Sequence, residues 1–268
     1  MTTDALFKFE NHQYTPTDRA VGPWDPGLLH GGATGGLFAY AVEQHLSDPA
    51  FQFARLTVDL FRPVPFAPLT TQTETLREGK RLQIIEARLL AGDKEVARAR
   101  ALALRTASVA VPDHAQPDTV APPDPAHIPV TTLMGGPLPP SDQLPPGMHF
   151  ALQAKMISGM KLRGEGAAWL RFALPIVAGT QTSPFVHVAA LADFGNGLGQ
   201  LYLDGKTGCI NADITLHLYR YPRGQWVCLD ARARMEEHGI GAVETQLHDA
   251  EGPIGRVTQA LVTRTFGR

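Results

Sequence analysis

Asp193 is the strongest candidate for a catalytic side chain in this sequence. It is the only acid in the stretch VHVAALADFGNGLG, Val186 to Gly199. On a helix, residues three and four positions away share its face. All of them are small: Ala189, Ala190, Asn196 and Gly197. An ionised carboxylate among apolar residues is costly without a partner, and perturbed carboxylates gather at functional sites. We therefore predict that Asp193 is a functional acid that another group approaches closely, and not an aspartate on the wet edge of a helix.

Gln259 and Thr215 lie on two predicted strands. In GRVTQALVTRT, Gly255 to Thr265, Gln259 alternates with Val257 and Leu261 and faces inward if they do. The pattern alone leaves a surface glutamine equally open. Thr215, in NADITLHLYR, is an ordinary strand residue, for which a structural role is the more frequent one.

The sequence HGGATGG begins a predicted helix and contributes His30, Gly31 and Gly32. Backbone N–H groups at a helix start can stabilise an oxyanion, and glycine lets the backbone approach a ligand closely. We predict that these three residues bind substrate, although a histidine at this place is more often a cap than a catalyst. The glycines fit neither GxGxxG nor a GxxxxGK phosphate loop, the chain has no GxSxG, and its histidines are not at metal spacing. We therefore expect no metal and no cofactor.

Composition limits the partners of the protein. Its 268 residues carry 24 Lys and Arg against 26 Asp and Glu, a formal net charge of -2, so no strong field attracts nucleic acid or an anionic membrane. Cys209 and Cys228 are the only cysteines and form no disulfide framework. The N-terminus MTTDALFKFENH differs from a secretory signal, and no apolar run is long enough to span a bilayer. We expect a cytoplasmic protein with a small-molecule substrate, no nucleic-acid partner and no membrane partner.

Two similar halves must position the candidate residues. The matched sequences are RLTVDLFR with DITLHLYR and VARARALALRT with GRVTQALVTRT, at 55–62, 213–220, 96–106 and 255–265. Their offsets are 158 and 159 residues, and so constant a separation indicates duplication. By the offset of 159, Arg100 is the counterpart of Gln259 in the first half.

A proline-rich segment separates the halves. Residues 111–148 hold 11 of the 22 prolines, and proline removes a backbone donor and fixes φ, which disfavours both helix and central strand. The predicted organisation is an N-terminal unit at 1–110, a linker at 111–148 and a C-terminal unit at 149–268 that carries the candidate catalytic residues.

Each half also contains one strongly apolar helical segment before its strands. The first is predicted over Gly31–Leu46, and the second from Ser183–Pro184, an N-cap followed by proline at the first helical position, to about Leu201. An apolar helix of this length must be buried. We therefore predict an α+β fold of two tandem units, each an antiparallel sheet wrapped around a central helix.

The sequences LHGGATGGLFAYA, ARLTVDLFRPV and ALADFGNG, in this order and with the duplication, resemble the TesB-like acyl-CoA thioesterases of the double hotdog family. The resemblance implies a double hotdog fold, hydrolysis of acyl-CoA to free acid and coenzyme A in lipid metabolism, and a homo-oligomer. It also implies an acid on the second helix, a Ser or Thr on the following strand and a Gln on the last strand. The acid matches Asp193 and the glutamine Gln259, while the hydroxyl position falls on Ala212. Either Thr215 supplies the hydroxyl through a shifted register, or this chain lacks it.

In the mechanism that the resemblance implies, Asp193 and Gln259 hold a water near the thioester carbonyl, and Asp193 takes its proton as a general base. The coenzyme A phosphates need a cation, for which the alternatives are Arg62, Arg100 and Arg220. Two other functions stay open, a non-catalytic acyl-CoA binding protein and a hydratase or dehydratase of acyl thioesters. The hydratase needs an Asp–His pair, and His187 would lie on a different helix face from Asp193.

Overall fold

A continuous antiparallel sheet connects the two halves of the protein. The computed structural model describes residues 4–46, 48–116, 120–140, 143–159 and 162–265. The strands of the first half are β1 (Phe7–Glu10), β2 (Gln13–Pro16), β3 (Phe51–Asp59), β4 (Leu69–Glu78), β5 (Leu82–Ala91) and β6 (Lys94–Arg105). The strands of the second half are β7 (Leu152–Ser158), β8 (Glu165–Phe172), β9 (Thr207–Asn211), β10 (Asp213–Leu218), β11 (Val227–Met235), β12 (Ile240–Asp249) and β13 (Gly252–Thr265). The helices are α1 (Gly31–His45), α2 (Met148–Ala151), α3 (Pro184–Leu191) and α4 (Phe194–Leu198).

The order of the strands explains how the halves join. Across the described ranges the order is β1-β2-β4-β5-β6-β3-β10-β13-β12-β11-β8-β7, with β9 added beside β13. Strand β3 of the first half pairs with β10 of the second, and Thr57 lies opposite Thr215. These two residues are also 158 positions apart, the offset of the duplicated strands. A pseudo-two-fold axis therefore passes between them.

The helices α1 and α3 pack against each other inside this sheet. Helix α1 also contacts β4 and β5, and α3 contacts β8. Gly32 and Gly35 of α1 lie against the backbone carbonyls of Ala190 and Ala189, where a Cβ atom would be too close. The predicted arrangement of a sheet around a central helix in each half is confirmed. None of the helices in the described ranges has the length and hydropathy of a bilayer-spanning segment.

The second apolar helix is interrupted, although the sequence predicts one helix to about Leu201. Helices α3 and α4 are separated by residues 192 and 193. At the break, the N–H of Gly195 bonds the carbonyl of Ala192, three residues back, at 3.5 Å, in place of the regular four-residue bond of an α-helix. The prediction of a continuous helix is therefore wrong at this point. Asp193 lies at the break, with φ -68 and ψ -23, and immediately precedes α4.

The proline-rich segment packs against β7 and β8. The indole N–H of Trp169 donates to the carbonyl of Pro123 at 2.9 Å, and Thr131 pairs with Ala154 as an isolated bridge. The described residues of the segment include two 3₁₀ helices of three residues each, Asp113–Ala115 and Pro125–His127. Proline explains both features, since it disfavours regular helix and central strand alike. The unit boundaries at 110 and 148 stay predictions.

Candidate active site

Asp193 lies where the two halves meet. Its side chain faces the first turn of α1, and the residue is 9% exposed. A Cβ atom on Gly31 would lie 2.6 Å from Oδ1 of Asp193, so a larger residue there would displace the carboxylate or the helix. The small neighbours of Asp193 predict that another group approaches it closely. That group is the start of α1, the helix of the other unit.

Four groups surround the carboxylate of Asp193. The backbone N–H of Gly32 donates to Oδ2 at 3.0 Å, and Nδ1 of His30 lies 3.0 Å from the same oxygen. Nδ2 of Asn211 donates to Oδ1 at 3.0 Å, and Nε2 of Gln259 does so at 3.4 Å. A carboxylate has about four acceptor positions. All of them are therefore in use, and the bond from Gln259 is the longest.

These contacts hold Asp193 in its ionised form. Burial by itself raises the pKa of the Asp193 carboxyl, because a charge is poorly solvated in the interior. The hydrogen bond and charge of His30 lower it, as do the hydrogen bonds from Asn211 and from the Gly32 N–H. The donors outweigh burial, so the pKa of Asp193 lies below its ordinary value.

His30 forms the Asp–His pair of this site. It is the N-cap of α1, and its Nδ1 lies 3.0 Å from both the Gly32 nitrogen and Oδ2 of Asp193. One nitrogen cannot accept from Gly32 and donate to Asp193 together. A lone pair on Nδ1 would repel the carboxylate, so we assign the proton to Nδ1, which donates to Asp193. The ring stacks on Phe194 with centroids 4.5 Å apart, which fixes its plane.

Gln259 faces inward and is buried, which is one of the two orientations that its alternation with Val257 and Leu261 leaves open. The backbone N–H of Asn196 donates to Oε1 of Gln259 at 3.1 Å. This contact settles the orientation of the amide, since only oxygen can accept there. Nε2 of Gln259 is consequently turned towards Asp193.

Arg100 is not the counterpart of Gln259, contrary to the sequence offset. Thr57 pairs with Arg100, whereas its equivalent 158 residues later pairs with Thr258. Arg100 therefore corresponds to Thr258, and Gln259 corresponds to Ala101. The error of one residue matters because successive strand residues point to opposite faces of a sheet.

Asn211 is a site residue that the sequence reasoning missed. It is the last residue of β9 and lies opposite Leu261 of β13. Its Nδ2 donates to Asp193 and also to the carbonyl of Asp213 at 3.2 Å. It directly precedes Ala212, where the family pattern places the hydroxyl. A polar residue one position from the expected one was the available signal.

Thr215 is the one predicted site residue that the structure does not bring to Asp193. It shares a face of β10 with the exposed His217, while Ile214 and Leu216 point to the core. Its hydroxyl donates to Asp213 at 3.4 Å. The strand is regular and the register shift is absent, so the hydroxyl points away from the acid. The prediction that Thr215 supplies the active-site hydroxyl is therefore wrong.

A cleft of about 590 Å³ opens over His30, Asp193 and Asn211. Its apolar wall is formed by Leu28, Leu29, Leu60, Val64, Ile210 and Val262. Its polar wall is formed by His30, Gly31, Thr34, Asp193, Asn196 and Asn211. Leu133 and Met134 of the proline-rich segment also line it. The cleft thus combines a long apolar surface with one cluster of polar groups, as sites for small ligands do.

Two arginines line the cleft. They are Arg62, one of the three predicted cations, and Arg264, whose guanidinium lies 5.7 Å from the ring centre of Trp24. The other two predicted cations have carboxylate partners. Nε of Arg100 donates to Glu86 at 2.8 Å, and Nη2 of Arg220 donates to Asp249 at 2.6 Å.

Comparison with known protein families and solved structures identifies the class of protein to which this chain belongs. The family model of the acyl-CoA thioesterase N-terminal domain matches residues 20–106, and that of the acyl-CoA thioesterase C-terminal domain matches residues 112–263. A search of curated protein sequences gave no match. The fold and the matched domains define a double hotdog protein of the thioester hydrolase class. This chain belongs to the acyl-CoA thioesterase family.

Solved structures share the whole fold. A hot dog fold protein of unknown function from Alicyclobacillus acidocaldarius has a TM-score of 0.67 at 16% identity, over 97% of this chain and 96% of that one. The acyl-CoA thioesterase II TesB2 from Mycobacterium marinum has a TM-score of 0.65 at 16% identity, over 96% and 94%. A tesB protein from Mycobacterium avium subs paratuberculosis has a TM-score of 0.64 at 12% identity, over 94% and 93%. At such identities the likeness concerns the fold.

Proposed function

We propose that the protein hydrolyses an acyl-CoA thioester to the free acid and coenzyme A, with water activated by Asp193. The observation that carries the proposal is the buried, ionised Asp193 carboxylate on the wall of an apolar cleft. A carboxylate kept in the charged form inside a low-dielectric site can accept a proton from a bound water as a general base.

The attacking water would bind between Asp193 and Gln259. The 3.4 Å contact between Nε2 of Gln259 and Oδ1 of Asp193 is the weakest at the carboxylate, so a water can replace it at the smallest cost. The Gln259 amide stays oriented by Asn196 and donates to the water oxygen. Asp193 takes one water proton while the oxygen attacks the carbonyl carbon.

The first turn of α1 would stabilise the oxyanion. The Gly32 N–H already donates to Asp193, whereas no acceptor for the Gly31 N–H is found among the described residues. Both groups lie at the positive end of the helix. When the tetrahedral intermediate collapses, the C–S bond breaks, and the proton held by Asp193 passes to the departing sulfur.

Arg62 and Arg264 are the cations that we assign to the coenzyme A phosphates. Both line the cleft, and the contact with Trp24 orients Arg264 at its wall. Arg100 and Arg220 are less suitable, since each is already paired with a carboxylate. Arginine forms bidentate bonds to phosphate more readily than lysine does.

The test is a panel of acyl-CoA substrates of increasing chain length, with detection of the released thiol. We expect turnover by the native protein and a loss of at least about 100-fold in Asp193→Asn. The variant should stay folded but melt at a lower temperature, because the amide keeps the shape of the carboxylate while its NH2 group cannot accept the hydrogen bonds that one carboxylate oxygen receives. Equal rates in the two proteins would remove Asp193 from the mechanism.

A second function, hydration of an unsaturated acyl thioester, is favoured by one observation. The 3.0 Å contact between His30 and Asp193 provides the Asp–His pair that such a reaction needs. Product masses separate the two reactions, since hydration adds water to an enoyl-CoA without releasing thiol. Binding of acyl-CoA with neither product would instead identify a binding protein.

A further inference from the structure

We propose that Thr34, on α1 of the first half, supplies the active-site hydroxyl and holds the attacking water opposite Asp193. This inference rests on the proposed function. It replaces Thr215, whose hydroxyl lies on the other face of its strand.

The first argument is that the Thr34 hydroxyl has an unmet hydrogen-bonding capacity. The residue is 1% exposed, and its Oγ1 has no partner among the described residues. A buried hydroxyl without a partner costs free energy and requires an explanation. A helical threonine usually bonds the carbonyl four residues back. Here the carbonyl of His30 accepts from the backbone N–H groups of Ala33 and Thr34 instead.

The second argument is the position of Thr34 relative to Asp193. Thr34 follows Gly31 by three residues, so the two share a face of α1. Gly31 is the residue whose Cβ would lie 2.6 Å from the Asp193 carboxylate. One helical step of three residues rises about 4.5 Å. Thr34 therefore lies one turn beyond the contact between Gly31 and Asp193, on the wall of the same cleft.

The third argument is that another polar group lining this cleft also lacks a partner. Oδ1 of Asn196 is buried and unpaired among the described residues, although Nδ2 of the same side chain donates to Asn211 at 3.4 Å. Two unpaired polar atoms on the wall of one cleft indicate a polar occupant, because a buried water needs two to four partners.

The proposed geometry leaves the water able to react. The water accepts a hydrogen bond from Nε2 of Gln259, gives one proton to Asp193 and donates the other to Oγ1 of Thr34. One lone pair of its oxygen then points to the thioester carbon. Thr34 is thus a positioning residue that fixes the direction of attack, and it comes from the unit that lacks the acid.

The experiment compares Thr34→Val and Thr34→Ser with Thr215→Val as the matched control. With the best acyl-CoA of the panel, we expect Thr34→Val to lower kcat by at least about 10-fold with KM within about twofold. Thr34→Ser should keep most of the native kcat, and Thr215→Val should remain within about twofold. Thr34→Val should also melt no lower than the native protein, since it removes an unpaired buried hydroxyl.

A purely structural role for Thr34 would give a different pattern. Native kcat in Thr34→Val, or equal losses in the Val and Ser variants, would overturn the inference. Should Thr34→Val fail to fold, Thr34→Ala against Thr34→Ser isolates the hydroxyl in the same way, and equal kcat values would reject it. Loss of turnover in Asp193→Asn together with a normal Thr34→Val would leave the proposed function intact and refute only the role of Thr34.

Discussion

At the scale of single residues, Asp193 is defined by its donors. His30 and Gly32 reach one carboxylate oxygen from the first half, and Asn211 and Gln259 reach the other from the second. Charge-assisted hydrogen bonds are stronger than neutral ones. The donors that keep Asp193 ionised also fix the orientation of its carboxylate. Removal of any one of them should therefore change the pKa of Asp193.

Asn211→Ala removes one of these donors, and the pKa of Asp193 should rise because less remains to oppose the effect of burial. The acidic limb of the kcat/KM profile should move to higher pH, since the carboxylate then protonates earlier as pH falls. We expect kcat to fall by about 10-fold as well. Steady-state rates between pH 4 and 9 measure both effects. Thr258→Val, next to Gln259 but half-exposed, serves as the control, and an unshifted acidic limb in Asn211→Ala would contradict the role of Asn211.

The sequence predicts Asp193, Gln259 and the HGG at the start of α1 as parts of a site, but it predicts neither Asn211 nor the contacts of Asp193 with its partners. Asp193 stands out because it is the only acid in an apolar stretch, and Gln259 because it alternates with inward apolar residues. His30 is predicted as a substrate-binding residue and not as the partner of Asp193, and Asn211 gives no comparable signal, since a polar residue at a strand end is ordinary in itself. Their contacts depend on how α1 crosses α3 and on where β9 ends, which local periodicity does not report.

At the scale of elements, the strands were easier to predict than the helix that carries the acid. Alternation of apolar and polar residues is sufficient to place the duplicated strands. The apolar residues after Ser183 suit a helix, but the three glycines between Gly195 and Gly199 weaken it, and they do not by themselves show where it breaks. Just after the break, α4 lies close to the sheet, since a Cβ on Gly195 would lie against Thr245 of β12. The exact offset between the two halves could likewise be assigned only from the strand pairing that the structure shows.

The crossing of α1 over Asp193 can be tested with Gly31→Ala. The added methyl group would lie 2.6 Å from Oδ1 of Asp193, so the acid or the helix must move. We expect a destabilisation of about 1–3 kcal/mol and a fall in kcat of at least about 10-fold. Thermal unfolding and steady-state kinetics measure the two effects. Gly197→Ala is the matched control, because it also lines the cleft but its Cβ would meet no atom within 4 Å. Equal behaviour of the two variants would show that contact with Asp193 does not require glycine.

At the scale of the whole molecule, the site is built from both units. The first half contributes the start of α1 and the second contributes the acid, the glutamine and Asn211. The duplicated chain therefore contains the equivalent of a dimer interface, with the joined strands β3 and β10 at its centre. Only one of the two equivalent positions carries this set of polar residues, since Gln259 corresponds to Ala101. Association of whole chains into a homo-oligomer stays a prediction.

Stability against acid is another property of the whole fold. Burial lowers the pKa of four histidines, His149, His187, His217 and His248, and in the first two cases to about 4. In the unfolded chain a histidine titrates near its ordinary value of 6.5. Between pH 6.5 and 4 the unfolded state thus binds more protons than the folded state. The free energy of unfolding must then fall as the pH drops through this window.

His187→Leu tests this linkage at one of the two histidines whose pKa falls to about 4. Nε2 of His187 is buried and without a partner among the described residues, so an apolar side chain of similar size leaves no broken hydrogen bond. Each histidine that titrates only in the unfolded state contributes about 1 kcal/mol per pH unit to the slope. We expect urea unfolding at several values between pH 6.5 and 4 to show a shallower loss of stability in His187→Leu than in the native protein. His127→Leu, at an exposed histidine of the proline-rich segment, should keep the native slope. If the His187 variant loses stability as steeply as the native protein, another group is responsible for the acid sensitivity.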